Sequence, residues 1–247
     1  MKRLFTGLTD PGLIRSVNQD AFYNDPDGRF FIVADGMGGH AGGQEASRIA
    51  THAIQMHLDK HWTSPEQSKT LLETAFLEAN RAILNDQAAH PERSDMGTTA
   101  VVVIFRDEQP CCAHIGDSRL YRLRGAKLDQ ITEDHTWVAR AMKVGDLTPD
   151  QARIHPWRHI LSKCLGREDL RQVDVQSFDL LPSDRLLLCS DGLTEELPDH
   201  LIASHLKGIR ACDKAALTLV NAAKDKGGRD NITVVIVGSD SSARAEE

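Results

Sequence analysis

Several features that would place the sequence in a class at once are missing from it. Its five cysteines, at 111, 112, 164, 189 and 212, show no CxxC spacing, so neither a disulfide framework nor a thiolate zinc site is expected. Cys111 and Cys189 lie in apolar runs and read as strand packing, not as catalytic thiols. Basic residues are not in excess. Charged residues make up 26% and the formal net charge is -7, which argues against general attraction to nucleic acid or to an anionic membrane. No apolar stretch is long enough to span a bilayer, and the start, MKRLFTGLTDPG, lacks the apolar core of a signal peptide. A cytoplasmic protein is expected, with one domain over 1–238 and a small, charged, frayed tail over 239–247.

The stretch that is most telling runs from Phe30 to Gly43, FFIVADGMGGHAGG. Phe30 to Val33 form the continuous apolar run of a strand buried on both faces, and it stops on Asp35 and a glycine-rich turn. Gly36 to Ala41 satisfy the GxGxxG/A pattern of a dinucleotide site. Asp35 contradicts that reading, because a carboxylate entering the turn repels a pyrophosphate, and the acidic ribose partner of a second strand is missing. A P-loop is excluded as well, since no Gly-Lys-Ser/Thr follows. A carboxylate at the rim of a core must be exposed, paired or bound to a cation, and the turn holds no lysine or arginine.

Along the rest of the chain, Asp25-Pro26-Asp27-Gly28 predicts a turn that folds a hairpin back to Asp35 and brings Arg15 and Asp20 near it. Helical periodicity covers Gln44 to Leu58, and Ser64-Pro65-Glu66-Gln67 reads as a capping box opening a second helix. Strands are expected over Gly97 to Phe105, Cys111 to Gly116, Leu120 to Leu123 with a turn at Gly125, Val173 to Leu180, Arg185 to Cys189 and Ile232 to Val237. Further helices are expected over Asp199 to Lys207 and Asp213 to Lys226. The segment from Glu133 to Leu165 lacks strand patterning and reads as an inserted flap with two short helices.

Four aspartates, 35, 117, 191 and 230, sit at the ends of apolar strands. Brought together they would repel one another unless a multivalent cation compensates them. All candidate ligands are oxygens, so the ion should be hard, Mg²⁺ or Mn²⁺. Calcium is disfavoured because there is no dense acidic loop of the EF-hand type. Two-ion carboxylate sites suit displacement at phosphorus. Arg15 offers a planar fork for phosphate oxygens, and His40, five positions beyond Asp35, can give a proton to a leaving group. The DxDxT motif of an aspartyl-phosphate mechanism is absent. Residue chemistry alone thus points to metal-dependent phosphoryl hydrolysis.

The motifs RSVNQD, VADGMGGHAGG, MGTTAVVV, HIGDSRLYRLR, LLLCSDGLTEEL and GGRDNITVVIV occur in this order. They resemble the bacterial branch of the metal-dependent protein phosphatases of type 2C, from about Thr6 to Val237. The resemblance implies an α+β fold, a four-layer αββα sandwich in which two central antiparallel sheets are flanked by helix pairs, with a flap at about 136–165 that contacts protein substrates. It implies hydrolysis of phosphoserine and phosphothreonine by direct attack of water activated between two ions. Asp35 would bridge both ions, the Gly36 carbonyl would ligate one, and Asp191 and Asp230 would hold the other. Asp20 would contact an ion's water, Arg15 would bind the substrate phosphate, and His40 would be the acid beside the leaving oxygen. Asp117, with Asp191, would bind a weaker third ion. The expected partners are phosphorylated proteins, with a cognate Ser/Thr kinase whose action is reversed, and the protein is expected to be a monomer. Two alternatives are a phosphatase acting on an anti-sigma factor antagonist, whose branch usually carries sensor domains, and a catalytically silent phosphoprotein-binding module, against which the intact Asp35, Asp191 and Asp230 argue.

Overall fold

A strand buried on both faces needs a layer on each side, and the structure supplies both. The computed structural model describes residues 3–39 and 42–239; His40 and residues 240–247 of the expected tail lie outside the described residues. One sheet runs, in spatial order, β1 (Arg3–Asp10), β11 (Ile232–Ser239), β10 (Arg185–Cys189), β7 (Arg119–Arg124) and β8 (Lys127–Gln130). The other runs β2 (Asp20–Asn24), β3 (Phe30–Met37), β5 (Ala100–Ile104), β6 (Cys111–Ile115) and β9 (Asp174–Ser177), with β4 (Gly97–Thr98) beside the end of β3. All pairings are antiparallel.

The period-2 alternation of each strand divides its side chains between two cores. In β3, Phe31 and Val33 meet Leu186, Leu188, Val235 and Val237 of the opposite sheet. Phe30 and Ile32 point the other way, onto α1 (Gly42–His61) and α2 (Ser68–Ala89), where Ile54, Leu58, Leu72 and Phe76 receive them. On the far side, Leu187, Cys189, Val234 and Ile236 face α6 (Asp199–Gly208) and α7 (Cys212–Lys226). Burial of each such side chain stabilises the fold by roughly 1.5–3 kcal/mol relative to exposure, so both sheet faces favour one register. The result is the α+β four-layer sandwich expected. The flap carries α3 (Trp137–Lys143) and α4 (Pro149–Ile154), the second opened by a capping box between Thr148 and Gln151. Among the described residues no helix is long and apolar enough to cross a membrane.

Four local expectations are corrected. The capping box at Ser64 does not form: α2 starts only at Ser68, and Gln67 makes no side-chain cap. The guanidinium of Arg106 donates to the carbonyls of Trp62, Ser64 and Glu66, which holds that stretch as a loop. The run Gly97 to Phe105 is two strands, broken at Thr99. There the Thr99 backbone amide donates to the Asp35 carbonyl and its hydroxyl accepts from the Asp35 amide, so a side chain replaces one ladder position. After Gly125 the chain forms an extra edge strand, β8, whose sequence KLDQ is too short and polar to stand out. At the end of the sequence, β11 extends to Ser239, one residue into the expected tail.

Candidate active site

The turn Asp25 to Gly28 fixes which residues of the hairpin face each other. The buried Asp25 carboxylate accepts from the amides of Asp27 and Arg29 and from the Arg29 guanidinium, so its pKa is lowered although burial alone would raise it. In the resulting register Asp20 is the cross-strand partner of Asp35. The Asp35 carbonyl is held by the Thr98 hydroxyl and the Thr99 amide, each at 2.8 Å, so the backbone is pinned while the carboxylate projects from the strand end. Gly36 is required by the crossing of three segments here. A Cβ on it would lie 1.9 Å from the Gly43 carbonyl oxygen and 2.6 Å from that of Gln19.

The opposite sheet brings the other carboxylates. Asp191 lies two positions beyond the end of β10 and opens the short helix α5 (Asp191–Thr194), and Asp230 lies two positions before the start of β11. Ser190 and Thr233 donate hydroxyl protons to the same oxygen of Asp20, at 2.7 and 2.6 Å, which ties the two sheets together at the site. The second oxygen of Asp20, Oδ1, is buried with no hydrogen-bond partner. Asp117 stands in the turn between β6 and β7, and Ser118 beside it shares a 2.7 Å hydrogen bond with Thr99. Arg15 reaches in from the segment between β1 and β2, donating to Asp230 at 2.7 Å. That segment is stitched down by Asn231, whose side chain accepts from the Gln19 amide and donates to the carbonyls of Pro11 and Val17.

Electrostatics mark the cluster as incomplete by itself. Asp20 is pushed up to about 7, foremost by burial and further by Asp191 and Asp230, against the lowering effect of its Thr233 and Ser190 hydrogen bonds. Asp35 is raised by burial and then by Asp20, Asp191, Asp117 and Asp230. Burial and the Asp191 and Asp134 charges raise Asp117, while burial and Asp230 raise Asp191. Arg15 is the only guanidinium hydrogen-bonded to any of the five acids among the described residues, and the charge of Arg119, itself paired with Asp134, lowers Asp117 and Asp191 without offsetting their burial. An all-oxygen donor set with an unpartnered buried oxygen fits hard divalent cations, for which Asp35, the Gly36 carbonyl, Asp191, Asp230 and Asp117 are the available ligands.

All the described site residues proposed from sequence are thus brought to one end of the sandwich. Sequence reasoning missed their supports, Ser190, Thr233, Asn231, Thr98 and Thr99, although each adjoins or lies close to a recognised aspartate motif. It also missed two groups beside Asp191. His159 of the flap bonds Glu195 through Nδ1 at 2.6 Å, and Glu195 is pushed to about 7 by burial and by Asp191. A cleft of about 770 Å³ opens from Asp117 and Asp191 between Glu195 and the flap residues Met142, Arg153 and Arg158. It is large enough for a segment of a protein chain. By contrast Cys111, Cys112 and Cys189 are buried, and burial pushes the thiols of Cys112 and Cys189 up to about 12. None is a nucleophile at this centre.

Comparison with known proteins agrees with this geometry. Residues 15–222 match the family model described as protein phosphatase 2C. The serine/threonine phosphatase stp of Listeria monocytogenes serotype 4b is 37% identical over 238 residues, which is 94% of each chain. The crystal structure of the Mycobacterium tuberculosis serine/threonine phosphatase PstP/Ppp superposes with a TM-score of 0.87 at 34% identity, covering 96% of this chain and 99% of that one. A structure of the catalytic domain of the serine/threonine protein phosphatase PstP, solved in complex with two manganese ions, gives a TM-score of 0.85 at 33% identity, with 96% and 99% covered.

Proposed function

The chain belongs to the protein phosphatase 2C family, and from that premise we propose how its residues divide the work. The protein is a metal-dependent serine/threonine protein phosphatase whose substrates are phosphoproteins. The observation that carries the assignment of roles is the convergence of Asp20, Asp35, Asp117, Asp191 and Asp230 around a centre with a single hydrogen-bonded guanidinium. In this reading one catalytic domain spans 1–238 and reverses the action of a bacterial Ser/Thr kinase.

Asp35 and the Gly36 carbonyl, with Asp191 and Asp230, would hold the two central cations, and Asp117 with Asp191 would hold a weaker third. Bound there, such cations would supply neutralising charge for the phosphoryl oxygens and an activated water for in-line displacement. Among the described residues no cationic side chain is hydrogen-bonded to Asp20. Its Oδ2 is fixed by Ser190 and Thr233, which leaves the unpartnered Oδ1 to accept a proton from the attacking water and orient it. The guanidinium of Arg15 is half-exposed on Asp230, from where it can present its remaining N–H groups to the non-bridging oxygens of the phosphate. His40 supplies a proton to the serine or threonine oxygen as the P–O bond breaks. A water oxygen joins phosphorus, the side-chain oxygen leaves as a hydroxyl, and inorganic phosphate is the second product.

The deciding experiment is hydrolysis of phosphothreonine peptides by the full chain with and without Mn²⁺, alongside Asp35→Asn. Mn²⁺-dependent release of phosphate that Asp35→Asn abolishes is expected. Release that survives exhaustive chelation, or an Asp35→Asn variant as active as the parent, overturns the assignment.

A further inference from the structure

Next to the Gly116–Asp117 turn, a cluster links β6, the entry to the flap and β9. It comprises His114, His135 and Asp174. The imidazoles of His114 and His135 stack with centroids 4.6 Å apart and planes 11° from parallel. His135 clasps one residue at two points: its backbone amide donates to the Gly116 carbonyl at 3.0 Å, and its Nδ1 accepts from the Gly116 amide at 3.1 Å. Because Nδ1 accepts, the ring proton lies on Nε2, which donates to Asp174 Oδ2 at 2.5 Å.

The spacing of these three side chains would also admit a cation. The hydrogen bonds assign them otherwise. Both nitrogens of His135 are engaged, Nδ1 by the Gly116 amide and the protonated Nε2 by Asp174, so it has no free nitrogen to ligate, whereas His114 donates from Nε2 to the Glu133 carbonyl at 2.8 Å and keeps a buried, unpartnered Nδ1. Both imidazoles are depressed below the ordinary histidine pKa, first by burial, in keeping with a neutral, hydrogen-bonded pair.

Gly116 immediately precedes Asp117 and adopts φ +97°, and a Cβ on it would lie 2.5 Å from Thr99 Cγ2. Its peptide therefore cannot be held by a side chain of its own. The clasp is also the neck of the flap: the Ser162 amide donates to the His135 carbonyl at 2.8 Å, Thr136 bridges Leu161, and Lys163 at the flap's return bonds Asp174 at 3.2 Å. We propose that His135, oriented by Asp174 and backed by His114, is a positioning residue that fixes the Gly116 peptide and thereby sets the Asp117 carboxylate, coupling the flap neck to the weaker metal position. This rests on the reading of Asp117 as a ligand of that position.

The test uses the full chain stripped of metal. It titrates His135→Phe, His135→Asn and Asp117→Ala with Mn²⁺ by calorimetry and follows the Gly116 amide by ¹⁵N–¹H NMR. Phenylalanine keeps a ring on His114 but offers no acceptor, so His135→Phe should weaken the weaker Mn²⁺ step about tenfold, in the direction of Asp117→Ala, and shift the Gly116 amide. The tighter steps should stay within about twofold. Asparagine offers Oδ1 where Nδ1 stood, so His135→Asn should return the weaker step to within about threefold of the parent. Parent-like binding by His135→Phe while Asp117→Ala is impaired overturns the positioning role alone. Parent-like binding by Asp117→Ala overturns the reading on which it rests. Equal damage in the Phe and Asn variants makes His135 a packing residue and also overturns the proposal. Should His135→Phe not fold, Asp174→Ala, which releases the tautomer, should weaken the same step about threefold, and parent-like binding there is equally decisive.

Discussion

Asp20 and Asp35 face each other directly across the β2–β3 pair, two carboxylates at the position where a sheet ordinarily avoids like charges. The sheet tolerates them because Ser190 and Thr233 hydrogen-bond one, and because a bound cation can compensate the other. Without metal, Asp20 with a pKa of about 7 and the raised Asp35 and Asp191 take up protons more readily in the folded than in the unfolded state. That stability is complete below the unfolded carboxylate pKa, about 4, and is lost as pH rises through the folded pKa of Asp20, about 7, and the raised ones of Asp35 and Asp191. The metal-free protein should therefore lose stability between pH 5 and 8, and the Tm gain from saturating Mn²⁺ should widen over the same range. A Tm gain independent of pH in scanning calorimetry contradicts ligation by these acids. Asp35→Asn should cut turnover at least about a hundredfold, ~2.7 kcal/mol of transition-state free energy.

Arg15 and His40 should separate by substrate. All phosphate monoesters present the same non-bridging oxygens, so Arg15→Ala should raise KM about tenfold on every one of them. A serine or threonine alkoxide needs a proton on leaving, whereas nitrophenolate does not. His40→Ala should hurt phosphopeptides at least about tenfold more than p-nitrophenyl phosphate. Equal kcat losses on both substrates, with chemistry rate-limiting, would remove His40 from the acid role.

With Cys111, Cys112 and Cys189 buried and no aspartyl-phosphate motif, no covalent nucleophile is expected at the centre. Turnover in ¹⁸O-water should place one solvent oxygen in the phosphate with inversion at phosphorus. Net retention with a chiral phosphate ester, or a trapped phosphoenzyme, would show a covalent step.

The His114–His135 pair predicts a second pH effect of opposite sign. Both folded pKa values lie below the ordinary 6.5, first because of burial. The stability they contribute is therefore present above that value and is lost as pH falls through the folded pKa values. The charged groups facing the pair are Asp174, Asp134 and Lys163. With Mn²⁺ saturating throughout, Tm should fall as pH drops from 7 to 5.5, and His114→Phe should flatten that slope. A slope unchanged in His114→Phe would show that the imidazole pair is not its source.

The strands and the acids at their ends were legible in the sequence because strands buried on both faces leave unbroken apolar runs, as in Phe30 to Val33 and Leu186 to Cys189. What escaped depends on partners far away in sequence. The three carbonyls taken by Arg106 cancel a plausible capping box at Ser64, and the Thr99 hydroxyl that replaces a ladder bond looks like any β-branched residue in GTTAVVVIF. The Asp20 supports, Ser190 and Thr233, lie 170 and 213 positions away from it. Edge strand β8 has one solvated face and few residues, so it carries little pattern to detect.

The strand β1 pairs along its whole length with β11, from Arg3 opposite Ser239 to Asp10 opposite Ile232. During synthesis the first strand must therefore wait, unpaired, for the last to emerge. Thr233, which fixes Asp20, and Asp230, which meets Arg15, arrive with that same strand. A nascent chain released short of β11 would have an open first sheet and an unfinished centre, so dephosphorylating activity should begin only when the final strand closes the sheet.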